Sequence, residues 1–423
     1  MRILFLTPHP PSAVRVRPFH LVPALLDRGH ELTVATTWSG ARERQDLLAM
    51  AGLGCAVIGQ PLGRARRLAN LLAAWPTRLP LQARYAWQPR LAAELGARLT
   101  AAADQGRPYE VLHCEHLRGV AFALHLQSRL PVVWDSVDSI TDLFSQARRH
   151  SGSRRGRLMA AVDLERTRSY EGWLMRQLRH VAVTSPADRA ALLATAAASN
   201  GGGPVAQVAV VPNGVDCAHF APSRGWRDPE TILMTGRLSY HANVTAARFL
   251  VESVMPGVWA QRPHARVILA GAEPTREVRA LARAEPQRVE LTGTVGDLRP
   301  YLHRATLAVA PMVYGVGIQN KVLEAMATAT PVVATATAVR ALNAQPGRDV
   351  LVAEDAPALA RLILELLGDP GWATAVGAAG RAYVERAHRW EDAAARLEEL
   401  YLAAAGSRRR LDEGRPSGYY EIN

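Results

Sequence analysis

The stretch from Tyr314 to Thr335, YGVGIQNKVLEAMATATPVVAT, concentrates residue types that handle an anion. Gly315 and Gly317 let the backbone turn sharply and approach a ligand closely. Asn320 stands where an N-cap is expected, ahead of a short helix predicted over Lys321 to Thr328 that Pro331 stops. A glycine loop feeding a helix N-terminus presents free N–H groups and the positive end of the dipole, and both favour negative charge. Lys321 and Glu324 lie at i and i+3, so they share one helix face. One cation and one carboxylate side by side suit a sugar nucleotide, with Lys321 at diphosphate oxygens and Glu324 at ribose hydroxyls. Lys321 is also the chain's only lysine; every other residue in the Lys+Arg total of 50 is arginine. A compact ammonium here is not imitated by the planar fork used everywhere else.

A second group of polar residues sits where apolar runs end. EVLHC (Glu110 to Cys114) reads as a strand followed by Glu115, His116 and Arg118. PVVWD (Pro131 to Asp135) reads as a strand ending in Asp135, with Ser136 and Asp138 beyond it. In an open parallel sheet, ligands bind past the carboxyl ends of strands, which places Glu115, His116, Asp135 and Asp138 among the candidates. The loop PHPPSAVRVRP after the first strand adds Arg15 and Arg17 as candidate ligand contacts.

The elements that must position these residues form two series. ILFLT (Ile3 to Thr7), a helix from about Pro18 to Arg28 closed by Gly29, and ELTVATT (Glu31 to Thr37) make a Rossmann-like opening. A third strand is expected at Gly54 to Ile58. Arg64 to Thr100 reads as helical and basic. A basic loop is expected over Arg148 to Arg157, a helix over Leu158 to Leu178, and a strand over His180 to Thr184. AAASNGGGP, ending at Pro204, is the clearest linker. Val208 to Val211 and the turn PNGVD follow, and then a second series: ILMT, VILAG, VELTG, LAVAP, PVVAT and VLVAE. The fold class is therefore α/β, two Rossmann-like domains facing a cleft. The expected divisions are an acceptor domain over 1–205, a donor domain over 206–388, a crossover helix over 389–405 and a flexible tail over 406–423.

GIQNKVLEAMATATPVVAT resembles the donor-site motif of GT-B glycosyltransferases of the retaining family 4, and among them bacterial exopolysaccharide-associated sugar transferases. PNGVD resembles that family's interdomain hinge, and Trp390 to Ala405 its last helix. The resemblance implies a donor diphosphate held by Arg237, which begins GRLSYHANV after ILMT, and by Lys321. It implies a donor-binding set of Gly315, Gly317, Gln319, Asn320 and Glu324, and a donor-sugar contact from His116. Two departures stand out. The family's glutamate eight residues before the helix glutamate is Val316 here, and the lysine five residues after the arginine is Ala242, a charge that Lys321 is expected to replace. The reaction implied is transfer of a hexose-type sugar from a UDP- or GDP-linked donor to a glycan or lipid-linked acceptor. No metal and no cofactor beyond the nucleotide sugar is expected, since no DxD motif or metal-ligand spacing is present. A sugar-nucleotide epimerase of similar fold, which would need acid and base groups among Glu115, His116, Asp135 and Asp138, and a non-catalytic sensor are the alternatives.

Composition sets the remaining bounds. At 423 residues the chain is long enough for two full cores. No run of about 20 uncharged apolar residues occurs, and MRILFLTPHP starts directly as a strand, so neither a membrane span nor a signal peptide is expected. Cys55, Cys114 and Cys217 suggest neither a disulfide framework nor a zinc site, and a cytoplasmic location fits. The net charge of +12 admits anionic partners. Nucleic acid is disfavoured, because no aromatic–basic interleaving appears. Leu68, Leu71, Leu72 and Trp75 beside Arg64, Arg66 and Arg67 suit either a helix packed on the sheet or a segment lying on the inner face of an anionic membrane, with Tyr85 and Trp87 at its interface.

Overall fold

A computed structural model describes residues 1–151, 154–199, 203–223, 225 and 227–413, with the backbone alone at 154–156, 159 and 408–413. Among the described residues, seven parallel strands form a first sheet: β1 (Arg2–Thr7), β2 (Glu31–Trp38), β3 (Ala56–Pro61), β4 (Val111–Glu115), β5 (Val132–Val137), β6 (His180–Val183) and β7 (Gln207–Val210). Their order is β3-β2-β1-β4-β5-β6-β7. Six more form a second parallel sheet: β8 (Thr231–Thr235), β9 (Arg266–Ala270), β10 (Val289–Gly293), β11 (Leu307–Ala310), β12 (Val332–Thr335) and β13 (Leu351–Ala353), ordered β10-β9-β8-β11-β12-β13. The central strands read as unbroken apolar runs because helices cover both faces of a parallel sheet. Ile3, Phe5, Val133, Ile232, Leu233 and Val333 are all fully buried.

The chain divides into two compact units, one of residues 1–139, 165–211 and 391–423, the other of 140–164 and 212–390. The division differs from the sequence expectation in three places. β7 follows the glycine-rich linker yet pairs with β6 of the first sheet, so the chain leaves that sheet at PNGVD rather than at the linker. A linker composition marks a loop, and a loop can lie inside a domain as readily as between two. The Ile140–His150 helix and the start of the Arg154–Gln177 helix belong to the second unit. The basic stretch expected as a loop is therefore mostly helix, with Gly152 and Ser153 outside the described residues. Of the linker, Asn200, Gly201 and Gly202 lie outside them too.

The last helix, Trp390–Glu413, runs beyond the expected end at residue 405, and the tail from 414 onward lies outside the described residues. It belongs to the first unit from Glu391 and is fastened there by polar contacts. Tyr401 Oη meets His113 Nδ1 at 2.9 Å, both side chains fully buried, and Glu398 pairs with Arg28 and His30. The predicted helical stretch from Arg64 resolves into Arg64–Ala74, Leu81–Tyr85 and Pro89–Asp104. Its first helix buries Asn70 and Ala74 and leaves Leu68, Leu72 and Trp75 outside, at 58%, 64% and 58% exposure.

Candidate anion-binding site

In each sheet the strand order reverses direction once, between β1 and β4 in the first and between β8 and β11 in the second. Loops leaving two such strands part to opposite faces and open a crevice at their carboxyl ends. Several of the sequence-predicted residues fall at these two points. Arg237 follows β8, and the Tyr314–Gln319 loop follows β11. Arg15 follows β1, as does His9, which the sequence did not single out, and Glu115 and His116 stand at the end of β4; Asp135 and Asp138 lie at the end of β5.

In the second unit, the loop after β8 is drawn tightly against β9. Gly236 N donates to Ala270 O at 3.1 Å, and a Cβ on Gly271 would stand 1.8 Å from Gly236 O. Gly236 itself has φ +143°, a left-handed backbone that favours glycine. The sharp turn brings the Arg237 carbonyl within 2.9 Å of Asn243 Nδ2. Asn243, 6% exposed, then presents its Oδ1 to Lys321 Nζ at 2.5 Å. Lys321 also donates to Met312 Sδ at 3.3 Å. The chain's only lysine is therefore aimed by an asparagine 78 positions away. Sequence reading missed Asn243; the one signal was a polar residue in the first turn of the His241–Phe249 helix, most of which is buried. Half-burial lowers the Lys321 pKa to about 8, opposed by the Glu324 carboxylate, and raises that of Glu324 to about 7, opposed by Lys321. A Glu and a Lys side by side lower the acid's pKa and raise the base's, so the opposite shifts seen here make burial the larger effect on both.

The loop itself is held at several points. Gly317 is the residue with a left-handed backbone, φ +64°; Gly315, expected to share that role, lacks it and instead donates its N–H to Gln146 Oε1 at 3.1 Å. Gln146, from the Ile140–His150 helix, is a second contact that sequence reading missed. The helix runs Asn320–Ala327, with Gln319 at the N-cap and no side-chain cap bond. Asn320, expected as the cap, is its first residue and accepts from Asn213 Nδ2 at 3.1 Å, while Gln319 donates to Val316 O. The N–H groups of the first turn thus keep no side-chain cap of the helix's own. Val316 and Ala242, the two departures, are buried. Arg237 is about half exposed and its guanidinium meets Glu273 Oε2 at 2.6 Å, a pairing that an incoming diphosphate would have to replace.

In the first unit the predicted residues separate into two sets. Arg17 and Asp135, expected as ligand contacts, are spent on each other: Arg17 Nε donates to Asp135 Oδ2 at 2.7 Å with the side chains 4% and 0% exposed. Arg17 also donates to Val211 O, and Asp135 accepts from Val137 N. This buried pair ties the segment after β1 to the carboxyl end of β5. Asp138 is half-buried, its carboxyl pushed well above the usual range by burial and by Asp188 and Glu171. Glu115 and His116 remain at the crevice. Burial, with Asp135 nearby, raises the Glu115 carboxyl to about 8, and burial, with Arg118 nearby, lowers the His116 imidazole to about 3. His116 is a neutral imidazole at physiological pH and adopts φ +62°, uncommon for a residue with a Cβ. Arg15 pairs with Glu43 at 2.7 Å.

Among the described residues no three His, Cys, Asp or Glu side chains converge as a metal site, and no helix is long and apolar enough to cross a membrane. Residues 229–369 match the family of glycosyl transferases group 1. A GDP-mannose-dependent monoacylated alpha-(1-6)-phosphatidylinositol monomannoside mannosyltransferase of Corynebacterium glutamicum is 30% identical over 212 residues, which are 45% of this chain and 55% of that relative. The chain thus matches about half the length of that curated relative. Among solved structures, sucrose-phosphate synthase from Thermosynechococcus elongatus superposes with a TM-score of 0.69 at 20% identity, covering 98% of this chain and 100% of the other. An Anabaena protein, HepE, in complex with UDP and glucose superposes with a TM-score of 0.66 at 16% identity, covering 95% and 100%. These likenesses establish the fold, two Rossmann-like domains of the GT-B type.

Proposed function

We propose that the chain is a glycosyltransferase that moves a hexose-type sugar from a UDP- or GDP-linked donor to a glycan or lipid-linked acceptor, with retention of configuration and without a metal. The second unit holds the donor and the first the acceptor. The observation that carries this reading is the aimed ammonium: Lys321, fixed by Asn243, stands beside an uncapped helix N-terminus at the strand-order reversal of the second sheet. Negative charge develops on the departing diphosphate, and preorganised donors there lower the barrier because they need not reorient during reaction. Lys321 is the fixed donor, Arg237 the exposed one recruited from Glu273, and Glu324 the ribose contact. Gly315, Gly317, Gln319 and Asn320 shape the loop against the phosphates. His116, a neutral imidazole, would hydrogen-bond the donor sugar without adding a charge beside the anomeric carbon.

The same proposal places the protein on the inner face of an anionic membrane. Arg64, Leu68, Leu72 and Trp75 line one outward helix face, an arrangement suited to lying in a head-group layer. Incubation of the protein with radiolabelled UDP- and GDP-sugars and a lipid extract tests the reaction. Label transferred to lipid or glycan is expected. Interconversion of the sugar nucleotide, or binding without turnover, would overturn the transferase reading.

A further inference from the structure

We propose that the arginine cluster at the carboxyl ends of β1 and β4 is a phosphate-binding subsite, and that the acceptor carries a phosphate group there. The inference rests on the reading that the first unit holds the acceptor. Its observations are independent of the donor site. Two guanidinium groups flank one aromatic ring: Arg67 Cζ lies 5.7 Å and Arg118 Cζ 5.5 Å from the centroid of Tyr85. Arg67 Nη1 also donates to Tyr85 Oη at 3.2 Å. Arg118 Nη1 lies 3.4 Å from His9 Nε2, and the opposite ring nitrogen of His9 lies 3.9 Å from Glu43 Oε1, which Arg15 holds at 2.7 Å. Arg15, Arg67, Arg118 and His116 thus all lie near His9, and the Glu43 carboxylate is occupied by Arg15 and by the Ser39 N–H at 2.6 Å.

Like charges gathered this closely repel unless an anion joins them. Arg67 is oriented by neutral acceptors, Leu62 O, Ser39 Oγ and Tyr85 Oη, and has no carboxylate partner among the described residues. Burial chiefly, with Arg15, Arg118, His116 and Arg67 adding to it, lowers the half-buried His9 imidazole to about 3. His9 therefore contributes a neutral ring, and the cationic groups of the cluster are the guanidinium forks. A planar guanidinium fork matches two oxygens of a tetrahedral anion, so several forks around one point select a phosphate over a neutral hydroxyl. The position is also the crevice where the first sheet's strand order reverses. The sequence showed Arg15 here but not Arg67 or Arg118 as its neighbours, since the three come from separate helices and loops.

The phosphate could belong to a soluble sugar phosphate or to a lipid head group. Equilibrium titration of the full chain with glucose 6-phosphate, and sedimentation with phosphatidylinositol vesicles, separate the two sources, with glucose and phosphatidylcholine vesicles as neutral controls. At least one phosphate probe is expected to bind tenfold or more tightly than its control, and the tighter one identifies the source. Arg67→Gln and Arg118→Gln are each expected to weaken it about tenfold while UDP and GDP titrations of the same variants stay at wild-type values. Those nucleotide titrations report the donor site alone, so a failure of the donor reading would register there and not here. Equal binding of phosphate probes and neutral controls, or phosphate binding that both variants leave intact, would overturn the subsite.

Discussion

Asn243→Ala isolates what aiming the ammonium contributes. In the wild type the Lys321 cation has a hydrogen bond of 2.5 Å to Asn243 Oδ1 and a weaker one of 3.3 Å to Met312 Sδ. A hydrogen bond to a charged group is worth about 1.5–3 kcal/mol. The ammonium makes this bond more strongly than the neutral amine does, so its loss stabilises the neutral amine relative to the cation. At ~1.4 kcal/mol per pKa unit, the Lys321 pKa should fall by about 1–2 units. It starts at about 8, where burial has placed it. Activity that needs the ammonium is present below the pKa and lost as pH rises through it. The alkaline limb of kcat/KM, and of nucleoside diphosphate affinity, should therefore move from near pH 8 in the wild type to roughly pH 6–7 in Asn243→Ala. Asn243→Asp places a carboxylate at the same point and should move the limb the other way, toward higher pH, while weakening diphosphate binding by partly neutralising the cation. The assay is nucleotide titration by calorimetry across pH 5.5–9.5, with thermal unfolding to confirm that each variant folds. An alkaline limb that coincides in all three proteins would show that Asn243 does not govern Lys321, and the argument from its geometry would fail.

Other perturbations read neighbouring parts of the site. Lys321→Arg should lower turnover at least tenfold, about 1.4 kcal/mol of barrier, because the fork cannot enter a socket shaped by Asn243 and Met312; Lys321→Ala should cost more. Glu324→Ala should instead raise the donor KM with less effect on kcat, as expected for ribose binding that is equal in ground and transition states. Gly271→Ala drives a Cβ to 1.8 Å from Gly236 O, a backbone atom that must shift. It should lower stability by about 1–3 kcal/mol and weaken nucleotide binding together, measured by denaturant unfolding and calorimetry. The protein should sediment with anionic vesicles and be released by high salt, and Leu72→Glu should abolish that association; equal partition to neutral vesicles would remove the membrane proposal.

The strands were legible because parallel sheets demand short apolar runs, and β1, β8, β9, β11 and β12, four to six residues each, all announce themselves that way. The loop–helix around Lys321 was legible because glycine, N-terminus and ammonium are adjacent in the chain. What stayed hidden is long-range. Asn243 reaches Lys321 across 78 positions, and Arg17 finds Asp135 across 118, so neither partner could be assigned from local pattern. Arg17 and Arg15 look alike in sequence, two residues apart, yet one is interior and the other faces the crevice, because alternate positions at the start of a helix point to different sides. The membership of β7 in the first sheet was hidden for the same reason: a four-residue strand such as QVAV states that it pairs in a sheet, not which edge it joins.

The central claim, that the diphosphate of a sugar nucleotide sits on the Gly236–Arg237 turn and the first turn of the Asn320–Ala327 helix, is tested most directly by amide hydrogen exchange with and without UDP or GDP. Protection should appear in peptides covering residues 235–243 and 314–324, and should be absent in Lys321→Ala under the same conditions. Nucleotide-dependent protection confined to other segments, or protection of these two that persists in Lys321→Ala, would contradict it.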